Sequence, residues 1–209
     1  MLNKMFDFLF PQRCVGCGKP GNFLCSSCHQ VIFSSPARII WEQKVLALFS
    51  YYSPMGKLIK QFKYRGVREL EKLIADLATE RLSQRRLVRV WRKNNFTFLP
   101  VPLFPTRRLW RGFNQSEVIS KAICRNLNLK FDAEVLIRRK WTREQAKLNS
   151  VARHRNVRNV FGIRKNKKIE GRNFVIFDDV WTTGATVKEC ARALKSAGAN
   201  LVWGLVLAR

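Results

Sequence analysis

Hydrophobic residues along the chain form two kinds of pattern, short continuous runs and longer runs in which apolar positions recur every three or four residues. The continuous runs are rich in aliphatic and aromatic residues and end at Pro, Gly, Asn or charged positions, as buried strands do. They predict strands within residues 44–52, 96–103, 134–140, 159–163, 173–180 and 201–208.

The periodic runs predict amphipathic helices, because residues three and four apart share one helix face. These runs occupy residues 55–66, 68–82, 115–127 and 186–198. Gly66 and Gly198 stand where a glycine ends a helix, and Asn114 stands where an asparagine begins one. Residues 145–159 have no clean period, and we expect a loop or a broken helix there.

Strands that alternate with helices predict an α/β fold, with a mainly parallel sheet and helices on both of its faces. Ligands of such sheets bind beyond the carboxyl ends of the strands. A chain of 209 residues is long enough for one full domain and a small appendage. We expect a small cysteine-containing module at residues 1–40 and the α/β domain at residues 45–209.

Four cysteines lie close together in the segment CVGCGKPGNFLCSSC. Cys14 and Cys17 form one C-x2-C pair, and Cys25 and Cys28 form a second pair. Two such pairs suit a tetrahedral thiolate site, because each can turn both sulfurs toward one ion. The spacing predicts a structural Zn²⁺ bound by all four cysteines.

Other readings of the cysteines remain open at this point. The pairs could be disulfides, and the metal could present a surface to nucleic acid rather than stabilise the fold. His29 adjoins Cys28, but four cysteines already complete a tetrahedral shell, so we expect an ordinary surface histidine. Cys124 and Cys190 fall on apolar helix positions and are expected to be buried.

The charge balance is strongly basic, with 40 Lys and Arg against 14 Asp and Glu and a net charge of +26. Such a surplus favours polyanionic partners such as nucleic acid, phosphate esters or anionic membranes. The plainer alternative is a surface that is only kept solvated. Between Arg138 and Arg172 thirteen basic residues face two acids, Glu144 and Glu170, so the charge is concentrated there.

The chain offers no convincing targeting or membrane segment. The opening MLNKMFDFLF is interrupted by Asp7 and followed by Pro11, and it is shorter than the apolar region of a signal peptide. No apolar run approaches the roughly 18 residues of a membrane span. We therefore expect a cytoplasmic protein without membrane insertion, in which cysteines are thiols.

The strand within 173–180 delivers two acids, Asp178 and Asp179, immediately before a short loop and a helix. The loop and helix start contain three threonines, a glycine and an alanine: Thr182, Thr183, Gly184, Ala185 and Thr186. Free amides and hydroxyls at a helix N-terminus can bind a phosphate. Carboxylates accept hydrogen bonds from sugar hydroxyls and hold Mg²⁺ through water. A ribose 5-phosphate fits both ends, although acids and threonines can also serve only as turn and cap residues.

The stretch VIFDDVWTTGAT resembles the diphosphoribosyl (PRPP) binding motif of type I phosphoribosyltransferases, with every polar position of the pattern present. The resemblance implies that Asp178 and Asp179 hold the ribose hydroxyls and that residues Thr182 through Thr186 surround the 5-phosphate. It also implies Mg²⁺ as the companion of the ligand. Trp181 departs from the pattern, since a small aliphatic residue is expected at its position.

Three further stretches together resemble the ComF family of competence proteins, and the likeness extends over nearly the whole chain. They are FLPVPLFPTRRLWRGFNQSE, REQAKLNSVARHRNVRNVFGI and the N-terminal cysteine pairs. The family resemblance implies a type I phosphoribosyltransferase-like domain at residues 45–209. It implies action with single-stranded DNA in competence and natural transformation, with the DNA-uptake machinery as a further partner.

The same resemblance assigns roles to residues outside the acid pair. It places Val101 and Pro102 in a loop that faces pyrophosphate, with further polar residues nearby: Arg107, Arg108, Arg111, Asn114 and Gln115. It places a second signature in a mobile loop over the site: Gln145, Leu148, Arg153 and Asn156.

The arginines at 107, 108 and 111 also predict an anion site without the resemblance, because one guanidinium group can bind two phosphate oxygens at once. They suit pyrophosphate or a nucleic-acid backbone, or they belong to a solvated loop. Trp110 and Phe113 lie among them and could stack on bases or pack on the core. His154 stands between two arginines and is expected to be part of a basic surface rather than a catalytic base.

Two functions from different classes follow from these observations. The first is a ComF family protein that binds a PRPP-type ligand and acts with single-stranded DNA. The second is an active phosphoribosyltransferase that transfers 5-phosphoribosyl to a nucleobase or an amine in nucleotide metabolism. The motif permits both, and no catalytic residue can be named from the sequence.

Overall fold

The structure is a computed structural model that describes residues 12–40, 42, 44–65, 68–140 and 159–209. For Tyr64, Arg65, Arg68, Arg107 and Arg111 it describes the backbone alone. The helices are α1 (Ser26–Ser34), α2 (Pro54–Arg65), α3 (Arg68–Ser83), α4 (Arg86–Lys93), α5 (Pro105–Arg111), α6 (Gln115–Asn126) and α7 (Ala185–Ser196). The strands are β1 (Arg38–Ile40), β2 (Val45–Phe49), β3 (Thr97–Pro100), β4 (Lys130–Phe131), β5 (Leu136–Arg138), β6 (Phe161–Ile163), β7 (Phe174–Val180) and β8 (Val202–Ala208).

Six strands form the main sheet in the order β1-β2-β8-β7-β3-β4. All neighbours pair in parallel except β1, which runs antiparallel to β2 at one edge. The predicted α/β fold class with a mainly parallel sheet is therefore confirmed. The two runs at 134–140 and 159–163 do contain strands, but β5 and β6 pair with each other in a separate antiparallel sheet.

Both faces of the sheet are covered, because the side chains of its central strands point alternately to the two faces and are apolar on each face. In β7, Val175 and Phe177 belong to one apolar cluster, and Phe174 and Ile176 belong to the other. The first cluster contains buried side chains of α2, α3, α4 and α6, and the second contains those of α7, β5 and β6. Two-sided burial of this kind requires near-continuous hydrophobic strands, which is the pattern of the sequence.

The cysteine segment shares the first of these cores with the α/β domain. Ile32 of α1 is fully buried in that cluster, and buried Arg81 of α3 donates to the Ile32 carbonyl oxygen at 3.0 Å. Lys57 Nζ of α2 donates to the Gly16 carbonyl oxygen at 2.7 Å. The cysteine segment thus contacts two helices of the larger unit, and a domain boundary between residues 40 and 45 stays a prediction.

The described helices include none that is both long enough and apolar enough to cross a lipid bilayer. The longest, α3, has 16 residues and carries acids in its first turn and an arginine in its last. A span needs about 20 predominantly apolar residues.

Helix α4 was not predicted, yet it supplies the most deeply buried tryptophan of the chain's first apolar cluster. Trp91 is fully buried, with its ring centroid 5.3 Å from that of Phe98 and 6.5 Å from that of Trp203, both in edge-to-face geometry. Replacement by alanine would leave a cavity as well as reduce apolar burial.

We expect Trp91→Ala to lower the free energy of unfolding by about 3–5 kcal/mol. The matched control is Trp110→Ala, because Trp110 is 75% exposed and should change stability by less than about 0.5 kcal/mol. Urea unfolding followed by circular dichroism measures both. Equal destabilisation of the two variants would contradict the assignment of Trp91 to the core.

Candidate functional site

The carboxyl end of β7 carries the acid pair. Phe177 is fully buried in the sheet, and the next two residues, Asp178 and Asp179, are only partly buried. The chain then turns through residues 181–184 into α7, which begins at Ala185. The predicted order of strand, acids, loop and helix is present.

Gly184 is required by the shape of this loop for two reasons. Its φ of 74° lies in the left-handed region, where residues with a Cβ are strained. A Cβ at this position would also lie 2.2 Å from the Trp181 ring. Trp181 is buried and packs within the second apolar cluster, which explains how the bulky residue is accommodated.

The threonines lie around the N-terminus of α7. The Ala185 N–H donates to Thr183 Oγ1 at 3.4 Å, and Thr182 is exposed. The first N–H groups of a helix have no acceptor within the helix, and the helix dipole favours an anion near them. Hydroxyls and amides at this point can therefore bind a phosphate.

Each acid of the pair has a different partner. Asp178 Oδ1 accepts hydrogen bonds from Ser116 Oγ at 3.2 Å and from the Asp179 N–H at 2.9 Å. Asp179 Oδ2 lies 2.7 Å from Lys63 Nζ, which reaches it from α2. The lysine compensates one carboxylate, and the serine at the start of α6 orients the other.

Desolvation by the surrounding protein raises the pKa of Asp178 from 3.8 to about 7, and the nearby negative charge of Asp179 adds to the rise. Lys63 and the two hydrogen bonds act in the opposite direction without cancelling it. Asp178 therefore exchanges a proton near neutral pH, whereas Asp179 has a cationic partner at contact distance.

A cavity of about 720 Å³ opens beside the acid pair. Its walls contain both acids, the first loop residues and side chains from α2 and from the ends of β2 and β8: Tyr51, Tyr52, Lys63, Asp178, Asp179, Val180, Trp181, Thr182, Thr183 and Arg209. Its volume is typical of a small-molecule site. Of the predicted binding residues, the cavity brings together the two acids and the first two threonines.

The loop after β3, which contains Val101 and Pro102, begins beside the end of β7, and its role toward pyrophosphate stays a prediction. The Val101 N–H donates to the Phe177 carbonyl oxygen at 2.9 Å, and Asn114 Nδ2 donates to the Val101 carbonyl oxygen at 3.0 Å. Asn114 also begins α6, because its Oδ1 accepts from the Ser116 N–H at 3.1 Å. The predicted helix cap is therefore confirmed.

The arginine cluster after β3 is described in part. Arg108 is exposed and lies 3.4 Å from Glu117, and the side chains of Arg107 and Arg111 lie outside the described structure. Trp110 is exposed, whereas Phe113 packs on Phe62 with ring centroids 5.1 Å apart. The five residues assigned to the second signature and the basic surface also lie outside the described ranges: Gln145, Leu148, Arg153, His154 and Asn156.

Sequence reasoning did not find Lys63, Ser116 or the two tyrosines of the cavity. Lys63 is one of several lysines on the polar side of α2, and nothing in its neighbours distinguishes it. Ser116 lies 62 positions before Asp178 in the sequence. Only the approach of α2 and α6 to the end of β7 reveals these contacts.

The four N-terminal cysteines form a compact cluster. Their sulfurs all lie within 4.8 Å of one another, and Cys17 Sγ is 3.6 Å from Cys25 Sγ. Four sulfurs at about 2.3 Å from a central ion would be about 3.8 Å apart, so the arrangement fits a tetrahedral metal site. Gly16 is needed here, because a Cβ would lie 2.6 Å from Cys28 Sγ.

The surroundings of the cluster act differently on two of its cysteines, since burial and the neighbouring thiols raise the pKa of Cys28 to about 12. Burial opposes ionisation of Cys14, but backbone hydrogen bonds from Cys25, Cys17 and Gly16 outweigh it and lower the pKa to about 6. None of the six cysteines is in a disulfide, and Cys124 and Cys190 are buried as predicted. His29 lies 3.2 Å from Glu80 and stacks on Phe33, which is the position of an ordinary surface histidine.

Several curated proteins are similar to this chain over most of its length. The DNA utilization protein YhgH of Escherichia coli (strain K12) is 33% identical over 190 residues, which cover 90% of this chain and 80% of that protein. This chain belongs to the ComF family. Competence protein F of Haemophilus influenzae is 29% identical over 93% of this ComF protein and 84% of its own length. Competence protein ComFC of Bacillus subtilis is 24% identical over 88% of this chain and 72% of its own length.

Solved structures with a related chain path include phosphoribosyltransferases. Adenine phosphoribosyltransferase from Leishmania donovani aligns with 82% of the ComF protein and 73% of its own chain, at 16% identity and a TM-score of 0.44. Hypoxanthine phosphoribosyltransferase from Staphylococcus aureus aligns with 65% of the ComF protein and 62% of its own chain, at 14% identity and a TM-score of 0.41. No family model matches the chain.

The raised pKa of Asp178 predicts a pH-dependent stability of the ComF protein. Between about pH 4 and pH 7 the folded chain keeps a proton that the unfolded chain has released, so the free energy of unfolding falls as pH rises. Asp178→Asn, measured without Mg²⁺, should abolish this fall and be more stable than the unmodified protein at pH 8.

Urea unfolding at pH 5 and pH 8 measures the difference between Asp178→Asn and the unmodified protein. The difference should grow with pH. The exposed Asp76 provides a matched Asp76→Asn control, for which the difference should stay constant. A constant difference for Asp178→Asn as well would contradict the shifted pKa.

Proposed function

We propose that this ComF protein binds a PRPP-type ligand in the cavity at the end of β7 and acts with single-stranded DNA in competence and natural transformation. The observation that carries the ligand assignment is that the acid pair and two threonines of the loop leading into α7 line one cavity of about 720 Å³. A carboxylate pair that bound only a sugar would not need a helix N-terminus beside it. A site that bound only phosphate would not need the two acids.

The acids suit the sugar end of the ligand. Their free oxygens accept hydrogen bonds from vicinal hydroxyls, and their charge holds Mg²⁺ through water. Lys63 keeps one negative charge compensated until the ligand arrives. Asp178 and Asp179 are therefore assigned to the ribose, with Mg²⁺ as the ion that enters together with PRPP.

The loop and the start of α7 suit the 5-phosphate, because they offer hydroxyls, amides and the positive end of the helix dipole. This assignment covers Thr182, Thr183, Gly184, Ala185 and Thr186. The pyrophosphate is assigned to the loop after β3, where Val101 hydrogen-bonds to the backbone just before the acids. Pro102 and the three arginines at 107, 108 and 111 extend this side of the site.

The assignment to DNA rests on charge and on the names of relatives. The proteins from Escherichia coli and Haemophilus influenzae are called a DNA utilization protein and a competence protein. A net charge of +26 supports a polyanionic partner independently. A role in the cytoplasm beside the DNA-uptake machinery is the setting that we propose.

The cysteine cluster is proposed to hold a structural Zn²⁺. Four cysteines leave no open coordination position, which is typical of structural rather than catalytic zinc. The contacts of this segment with α2 and α3 support a role in stabilising the chain's first core.

PRPP with Mg²⁺ should raise the melting temperature of the protein. At 100 times its Kd a ligand adds about 2.7 kcal/mol of stability, which corresponds to several degrees for a chain of this size. Asp179→Asn and Thr183→Ala should abolish the rise, and the exposed control Asp76→Asn should retain it. Differential scanning fluorimetry measures all four proteins, and no shift in the unmodified protein would refute the ligand assignment.

Metal analysis of the reduced, purified protein should find about one zinc ion per chain. Cys25→Ala removes one ligand and should lower both the zinc content and the melting temperature. Cys124→Ala, which changes a buried cysteine outside the cluster, should keep the zinc. Equal zinc contents in the two variants, or none in the unmodified protein, would exclude the zinc assignment.

A further inference from the structure

The edge of the main sheet opposite the ribose-phosphate cavity carries a dense group of exposed basic residues. It is formed by the loops that precede the parallel strands and by the last turns of α4, α6 and α7. We call it the amino-edge surface, and its exposed basic residues are Lys44, Arg92, Lys93, Arg125, Lys130, Arg164, Lys165, Lys168, Arg172 and Lys195.

Hydrogen bonds tie the loops of the amino-edge surface into one ordered layer. Lys130 Nζ donates to Asn95 Oδ1 at 3.1 Å, which links the loops before β4 and β3. Asn173 Nδ2 donates to the Asn94 carbonyl oxygen at 2.9 Å, which links the loops before β7 and β3. Asn200 Nδ2 donates to Asn173 Oδ1 at 3.0 Å, which adds the loop before β8.

The long loop before β7 is held in the same layer. Arg172 donates to the Lys168 carbonyl oxygen at 2.9 Å and to Thr97 Oγ1 at 3.3 Å. Its basic residues therefore stand beside those of the neighbouring strands rather than on a free loop. The basic residues that the sequence concentrates between 138 and 172 are thus divided, since Arg138 ends β5 and residues 164–172 belong to the amino edge.

Helix C-termini explain only part of this charge. Basic side chains in the last turn interact favourably with the helix dipole, which accounts for Lys93, Arg125 and Lys195. It does not account for the loop residues Arg164, Lys165, Lys168 and Arg172. These have no helix end to stabilise.

Among the described residues, acidic side chains offset only part of the charge of the amino-edge surface, and Glu42 is an exposed acid two residues before Lys44. Two of the nearby acids form ion pairs with Lys167, whose Nζ lies 2.8 Å from Asp132 Oδ2 and 3.6 Å from Glu134 Oε2. The third nearby acid along this loop is Glu170.

The outer face of α4 extends the surface. Arg86 and Arg89 are exposed on it, while Val88 and Trp91 point into the core. No acid occurs in the sequence from residue 81 to residue 116. The helix leads through residues 94–96 directly into β3, so its charges are continuous with those of the edge.

We propose that the amino-edge surface and the outer face of α4 bind the phosphate backbone of single-stranded nucleic acid, at a site separate from the ribose-phosphate cavity. The inference rests on the proposed function for its partner and adds where that partner binds. The loops before β2, β8, β7, β3 and β4 are successive neighbours about 4.8 Å apart, which gives a row about 19 Å long.

The two sites lie at opposite ends of the same strand. Asp178 and Asp179 lie four and five residues after Phe174 in β7, and at about 3.3 Å per residue the acids are about 13–17 Å from the start of the strand, where the basic loop ends. A nucleic-acid strand on the amino edge therefore leaves the cavity open. The ComF protein can hold both ligands at once.

A nucleic-acid strand fits this surface better than an anionic membrane. Helices that lie on membranes present an apolar face to the lipid, but the apolar face of α4 is buried in the core. Val90, 47% exposed, is the one large apolar side chain that α4 presents to solvent among its described residues. Without exposed aromatic rings for stacking on this edge of the described chain, binding should be strongly salt-dependent and tolerant of base sequence.

A charge-matched pair of variants tests the location. The edge variant carries Arg89→Gln, Lys93→Gln, Lys165→Gln and Lys168→Gln. The control variant carries Arg13→Gln, Lys19→Gln, Arg38→Gln and Lys72→Gln, which are exposed on other parts of the molecule. Both variants have four fewer positive charges than the unmodified protein, so a general effect of net charge would be equal in the two.

Fluorescence anisotropy with a labelled oligothymidylate, over a series of salt concentrations, measures binding. We expect the edge variant to bind at least tenfold more weakly near 0.1 M salt. Its slope of log K against log salt should become shallower by about 0.7 for each phosphate that the variant no longer neutralises. The control variant should stay within about twofold of the unmodified protein. Equal weakening of both variants, or no weakening of the edge variant, would overturn the inference.

Three further arms separate this inference from the proposed function. The PRPP-dependent rise in melting temperature should persist in the edge variant, and its absence there would overturn the separation of the two sites. Asp179→Asn should bind the oligonucleotide normally. If the unmodified protein does not bind the oligonucleotide, the whole assignment to DNA is refuted. If the protein instead binds phosphatidylserine vesicles and the edge variant does not, the surface is real but its partner is a membrane and not nucleic acid.

Discussion

Burial of the central strand β7 on both faces is the constraint on which the arrangement of this protein depends. A strand between β8 and β3, covered by helices above and below, can carry polar side chains only where it leaves the sheet. The acids therefore lie at its carboxyl end, and the basic loop lies before its amino end. The sheet separates the two kinds of charge because its interior accepts neither.

The same constraint explains which parts of the molecule could be predicted from the sequence. The runs that form β7 and β8, the amphipathic pattern of α7 and the Asn114 cap are local signals, and each corresponds to the observed element. The cysteine cluster is equally local, since its spacing defines it. The acids and threonines could be predicted together because one strand, one turn and one helix contain them all.

Features made by tertiary contact could not be predicted in this way. Lys63 reaches Asp179 only because α2 packs against the sheet, and nothing in its own neighbourhood marks it. Helix α4 is short and buries two residues, Val88 and Trp91, so its period is too brief to recognise. Strands β5 and β6 were recognisable as strands, but their separate pairing depends on a register that neither segment specifies alone.

Helix α2 touches both chemical centres of the molecule. Lys57, near its start, holds the carbonyl oxygen of Gly16 within the cysteine segment, and Lys63, near its end, holds the carboxylate of Asp179. The two contacts are six residues apart on one rigid helix, about 9 Å along its axis. A displacement of α2 at the cysteine segment would therefore also move the lysine that contacts Asp179. The proposed metal and the proposed ligand would then change each other's affinity by the same factor.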